Sequence, residues 1–225
     1  MSKTIPISDS SLLETALTHR SALNEVSSGT SSKEHNERLE FLGDAVLELI
    51  VSHFLFTEYP HEPEGKLTAF RSALVKTETL ALVAQELDLG NKIYMSKGEE
   101  AGNGRNNPGL LANTMEAVIG AIYLDQGFEQ ATRFVKENIV SRLDEIKQKR
   151  LYKDSKSLLQ EVVQAQGKPT PEYEVISSEG KDHEKKFTVV VKIEEKIFGQ
   201  GSGLSKQQAQ QQAASQALIV FEKKQ

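Results

Sequence analysis

The spacing of apolar residues changes character once along this chain, and that change limits the folds open to it. Between about residue 8 and residue 145 the apolar positions recur at helical intervals, as in Leu42, Val46, Leu49 and Ile50 and again in Leu80, Leu82, Val83 and Leu87. No strand pattern interrupts them. Breaks rich in Gly, Pro, Ser and Asn fall at Ser27–Ser32, Tyr59–Gly65 and Gly98–Gly109, which predicts several helices joined by two or three long loops. The segment Asp144–Lys156 is charged and almost free of large aliphatics, as suits a helix end leading into a connection. Beyond it, helical spacing at Ser157–Gln166 gives way to strand-like runs at Glu172–Ser177, Lys186–Ile193 and Lys196–Gly201, and Lys206–Lys223 is helical again. The β-branched run FTVVVKIE carries the strand assignment, with turns expected at Gly180–His183 and Glu194–Glu195. The expected fold class is therefore an all-α domain over residues 1–150 and a small α+β domain of order α-β-β-β-α over residues 151–225. Two helices covering one face of a three-stranded antiparallel sheet would bury its apolar side.

The chain has no cysteine, which excludes a disulfide framework, a thiolate zinc site and a cysteine nucleophile. Any metal must sit on oxygen or imidazole. No apolar run approaches the ~20 residues that a membrane span needs, and the start of the chain lacks the pattern of a secretory signal, so no membrane partner and a cytoplasmic location are expected. The net charge of -5 runs against a phosphate-binding partner, but it is unevenly spread: residues 1–150 carry -6 and residues 151–225 carry +1. A carboxylate-rich domain that approaches phosphate requires divalent cations to neutralise some of its acid.

The most informative segment is His35–Leu47, HNERLEFLGDAVL. Glu37, Glu40 and Asp44 lie at i, i+3 and i+7 and share one helix face, while Leu39, Leu42 and Val46 point elsewhere. Charged stripes are commonly solvated faces. Here no Lys or Arg sits four residues on to relieve the like charges, and Gly43 inside the helix costs ~1 kcal/mol relative to alanine unless another backbone comes close. A second candidate is GLLANTMEAVIGAIYLDQ, where Glu116 follows Asn113 by one turn above an apolar face of Met115, Val118, Ile119 and Ile122. Two readings stand for this pair. Asn113 could be an N-cap with Glu116 its capping-box partner, or the two helices could present Glu40, Asp44 and Glu116 to one Mg²⁺, which favours octahedral oxygen ligands. His19, His35, His53 and His61 are scattered, and each is expected to be an ordinary surface or loop residue.

HNERLEFLGDAVL and GLLANTMEAVIGAIYLD, together with THRS at Thr18–Ser21, EGKLT at Glu64–Thr68 and the GEE loop, resemble the two catalytic helices and accompanying motifs of the ribonuclease III family, over essentially the whole chain. That resemblance implies a Mg²⁺-dependent endonuclease of double-stranded RNA, with Mn²⁺ able to substitute. Its catalytic residues would be Asp44 and Glu116, its metal ligands Glu40, Asp44, Asn113 and Glu116, and its assisting residues Glu37 and Glu64. The family fold is a helical homodimer in which Phe41 would pack into the partner subunit and each of two sites in one valley would cut one strand. Structured precursors such as ribosomal RNA would be processed to 5′-phosphate ends with short 3′ overhangs. Metal-assisted hydrolysis of this kind activates a bound water and needs no Ser, His or Cys nucleophile.

One departure stands out: the family has an aspartate where this chain has Asn113, an amide that brings no charge and cannot act as a base. It leaves open an alternative, a catalytically impaired protein that binds duplex RNA without cutting it. An unrelated helical metalloenzyme is a further rival, but it would not need residues 151–225.

The segments SLLQEVVQAQG, PEYEV, DHEKKFTVVV and GLSKQQAQQQAASQAL are similar to a double-stranded-RNA-binding domain, which reads A-form shape across two minor grooves. By that resemblance Gln160 and Glu161 would meet 2′-hydroxyls in one minor groove, His183 would enter the next, and Lys206 would meet phosphate beside Ser205. Family members carry further lysines where this chain has Gln207 and Gln208, which implies weaker phosphate contact.

Overall fold

Helical spacing in the first part of the chain becomes a set of helices wrapped around two long central ones. The computed structural model describes residues 5–25, 29, 31, 33–180 and 185–222, and the chain divides into two units, Met1–Tyr152 and Lys153–Gln225. In the first unit α1 (Ser10–Ala16), α2 (Glu37–Glu58), α3 (Glu64–Val75), α4 (Thr77–Glu86), α5 (Leu89–Lys92), α6 (Lys97–Ala101), α7 (Pro108–Asn138) and α8 (Leu143–Gln148) follow in order, with a 3-10 turn at Arg20–Asn24. Among the described residues this unit holds no strand, only a single bridge between Thr18 and Tyr94. No helix among the described residues is long and apolar enough to cross a membrane.

The core lies where α2 buries Leu39, Val46, Leu47, Ile50, Val51 and Leu55 against the Met115, Val118, Ile119 and Ile122 side of α7. The two helices meet backbone to backbone. A Cβ on Gly43 would lie 1.7 Å from the Glu116 carbonyl oxygen, and one on Gly120 would lie 2.3 Å from the Leu39 carbonyl oxygen. The approach expected of Gly43 is thus real, and α7 is the backbone that comes close.

The breaks expected from composition are partly helical. Ser96 accepts a hydrogen bond from the Glu99 amide at 3.1 Å and so caps α6 inside the expected Gly98–Gly109 loop. Asn107 accepts from the amides of Gly109 and Leu110 at 2.9 and 3.3 Å, with Pro108 as the first helical residue. Long α7 is interrupted at Gly127, whose φ of 80° lies outside helical space.

In the second unit α9 (Ser155–Ala165), capped by Asp154, precedes a β1 (Glu172–Glu179), β2 (Lys186–Ile193), β3 (Lys196–Gly203) antiparallel meander and α10 (Lys206–Glu222). The β2–β3 turn places Glu194 and Glu195 at φ 50° and 63°, the conformation a two-residue hairpin turn of the twisted kind demands. Val189, Val191 and Ile193 point from β2 towards Leu159 and Val163 of α9 and the alanine stripe of α10, forming a separate core.

Candidate active site

The crossing of α2 and α7 at Gly43 and Gly120 decides which acids meet. Glu40 and Asp44 flank Gly43 on α2, and Glu116, whose carbonyl touches Gly43, faces them from α7. Asn113 lies one turn before Glu116, well inside the helix that Asn107 caps, so the capping-box reading of Asn113 and Glu116 is eliminated. The Asn113 amide lies beside the Glu40 carboxylate and favours its ionised form.

This cluster is short of positive charge. Burial, then the charges of Asp44 and Glu40, pushes the Glu116 carboxyl up to about 7. Burial and Glu37 raise Glu40 as well, against the opposing effect of the Asn113 amide. Among the described residues no Lys, Arg or His pairs with Glu40, Asp44 or Glu116. Glu37 differs from them: it is met from outside its own helix by Arg20 at 3.4 Å and His35 at 3.7 Å.

Three carboxylates and one amide oxygen make a hard, oxygen-only donor set of the kind that suits Mg²⁺ or Mn²⁺. Among the described residues no three His, Asp or Glu side chains are already gathered tightly enough to cage an ion. A cation would relieve the repulsion between like charges that the fold forces into proximity.

Beside the cluster is a cavity of about 210 Å³ based on buried Asn36 and Leu110 and walled by His19, Glu40 and Glu99. It opens to solvent beside Glu37 and Asn113. His19, expected to be an ordinary surface or loop histidine, therefore stands next to the carboxylates. Burial lowers its pKa, partly offset by the charge of Glu99.

Not every expected site residue joins the cluster. Glu64 begins α3, accepts a hydrogen bond from Thr68 at 2.9 Å, and lines a separate groove of about 470 Å³ with Leu49, Phe56 and Arg71. Phe41 is 80 % exposed, and with Leu49 and Phe56 at 58 % and 75 % it forms an uncovered apolar stripe along α2.

In the second unit Gln160 and Glu161 are exposed on α9, where Lys153 holds Glu161 in an ion pair. Ser205 accepts from the Gln208 amide at 3.1 Å at the start of α10, and exposed Lys206 stands 6.0 Å above the Phe187 ring. His183 lies outside the described residues.

Residues 9–143 match the family model described as Ribonuclease-III-like, and residues 155–220 match the double-stranded RNA binding motif. Ribonuclease 3 of Magnetococcus marinus is 46% identical over 214 residues, covering 94% of this chain and 87% of that protein. Ribonuclease 3 of Bdellovibrio bacteriovorus is 44% identical over 208 residues, covering 92% and 88%. Among solved structures, the nuclease domain of a Campylobacter jejuni ribonuclease III, described for structural flexibility in its region involved in dimer formation, is similar with a TM-score of 0.52. Its identity is 42%, and the match covers 58% of this chain and 89% of that one.

Proposed function

The chain belongs to the ribonuclease III family and is an endoribonuclease of double-stranded RNA; from that premise we propose that Glu40, Asp44, Asn113 and Glu116 hold Mg²⁺, which Mn²⁺ can replace, in a homodimer. The observation that carries this reading is the uncompensated acid at the α2–α7 crossing, where Glu116 is pushed up to about 7. Once bound, the ion supplies Lewis-acid charge and lowers the pKa of a coordinated water. The chain's own part is to hold the ligands. Asn113 stands beside Glu40, where its neutral amide oxygen would serve the ion or a water. Asp44 and Glu116 are the catalytic carboxylates, and Glu37, steadied by Arg20 and His35, assists at the edge of the site.

The uncovered stripe of Phe41, Leu49 and Phe56 is the surface we assign to the second protomer. Glu64 rims the same face, so we assign its assisting role to the partner's site rather than its own. Two sites in one valley each cut one strand of structured precursors such as ribosomal RNA, in the cytoplasm where such transcripts are made. The ends carry 5′ phosphates and short 3′ overhangs. The second unit grips the duplex through Gln160 and Glu161 in one minor groove, His183 in the next, and Ser205 and Lys206 at phosphate; Glu161 must leave Lys153 to do so.

Asn113 supports a second reading. An exposed neutral amide beside Glu40 cannot accept a proton from water, so the same fold could hold duplex RNA without cutting it. Cleavage of a long RNA duplex in Mg²⁺ by the wild type and by Asn113→Asp, with binding measured on the same samples, separates the two. Cutting by both establishes Asn113 as a working ligand. Cutting by the aspartate form alone, with binding by both, makes this chain an RNA binder.

A further inference from the structure

His19 is held by a hydrogen-bond chain that determines which of its nitrogens carries the proton. The Ser96 amide donates to the Ser21 hydroxyl at 3.0 Å, and that hydroxyl lies 2.8 Å from His19 Nδ1. The Ser21 amide also donates to Nδ1, at 3.3 Å. With one lone pair of the Ser21 oxygen occupied from Ser96 and a backbone N–H already aimed at the ring, Nδ1 is the acceptor and the hydrogen sits on Nε2. The His19 backbone is fixed as well, its amide donating to the Tyr94 carbonyl at 2.9 Å. Among the described residues no protein group takes the Nε2 hydrogen.

The ring lines the 210 Å³ cavity beside Glu40, whose other polar lining is three carboxylates, Glu37, Glu40 and Glu99, and three amides, Asn36, Asn107 and Asn113. A neutral hydroxyl fits both sides of the cavity, accepting from Nε2–H and donating to a carboxylate. In duplex RNA the group with that dual character is the ribose 2′-hydroxyl, which is also what distinguishes RNA from DNA.

We infer that His19 contacts the substrate, its Nε2–H donating to the 2′-oxygen of a ribose seated in the cavity beside Glu40. The inference rests on the nuclease reading and adds to it a residue in the nuclease unit that selects ribose over deoxyribose near the cut.

The test is a set of RNA duplexes carrying a single 2′-deoxynucleotide, moved one position at a time through the cleavage region. Single-turnover cleavage and equilibrium binding are measured for the wild type, His19→Asn and His19→Gln. Asparagine is a favoured cap, and its amide oxygen can take the two Ser21 hydrogens, so His19→Asn preserves the local fold while removing the far donor. Its melting temperature checks this. The wild type should lose about five- to tenfold in cleavage rate at one deoxy position, the value of one hydrogen bond. His19→Asn should show that loss already on the all-ribose duplex and be indifferent to the deoxy change at that position. His19→Gln, whose amide N–H reaches towards the place of Nε2–H, should regain part of the sensitivity. If His19→Asn keeps the wild-type profile at every position, with or without a lower melting temperature, His19 is structural and the inference falls. If the wild type neither cuts nor binds the all-ribose duplex, the nuclease reading falls and takes this inference with it.

Discussion

The Glu116 carboxyl, pushed up to about 7 by burial and by Asp44 and Glu40, has an ordinary value of 4.5. Its ionisation therefore costs the folded state, and stability should fall as pH rises from about 4.5 to about 7 and stay low above that. After discounting for its partial solvent contact the cost is about 1–2 kcal/mol. Glu116→Gln should accordingly raise the melting temperature by a few degrees at pH 8 and leave it unchanged near pH 4, while cleavage falls by at least about a hundredfold. Added Mg²⁺ should raise the wild-type melting temperature at pH 8 and leave that of the variant nearly unmoved; a variant no more stable than wild type at pH 8 would contradict this account of the cluster. Glu37, Glu40 and Asp44 are legible in the sequence because i, i+3, i+7 spacing is a linear fact, whereas Glu116 lies on another helix, where the sequence suits a capping box as well as a ligand. His19 was not legible, because its place beside Glu40 depends on the bridge that brings Thr18 to Tyr94 and on Ser96 reaching Ser21, pairings that no local pattern encodes. The THRS segment was the one signal that could have singled it out.

Element by element, the order α-β-β-β-α and all three strands were readable from alternation and turn residues. The start of α7 was not, because Asn107 and Asn113 each precede helical residues and either could cap. Pro108 was the deciding signal, since proline is preorganised for the first helical position and Asn113 has none after it. The glutamines of α10 show a related ambiguity. Gln208 accepts from the Leu204 amide, Gln210 from Lys156, Gln212 from the Ser202 amide, and Gln211 donates to Asp154. These side chains tie α10 to β3 and α9, a use that composition alone does not reveal. Gln207 remains exposed beside Lys206 at the helix start, where phosphate would approach. Gln207→Lys should add one phosphate contact, steepening the plot of log binding constant against log salt by about 0.9 and tightening duplex binding at low salt. An unchanged slope on titration with sodium chloride would exclude this helix start from the RNA contact.

For the molecule as a whole, the notable surface is the one left uncovered. Phe41, at 80 % exposure, is the most exposed apolar side chain on the α2 stripe, and an aromatic anchor of this kind commonly dominates an interface. Phe41→Ala should weaken self-association by about thirtyfold or more, read by sedimentation velocity across a dilution series. Monomer produced in this way should lose paired cutting of the two strands with the thermal stability of each protomer little changed, and a dimer as tight as wild type would place the interface elsewhere. One earlier feature bears on how such a molecule tolerates change. Because α2 and α7 touch through backbone at Gly43 and Gly120, the spacing of the site is set by main chain rather than by the side chains that do the chemistry. The scaffold works like a jig whose tool positions are fixed before the tools are chosen. A side chain can then be exchanged, aspartate for Asn113 included, while its neighbours keep their alignment, so such a change acts on the chemistry without moving the scaffold. Gly43 and Gly120 have no such latitude.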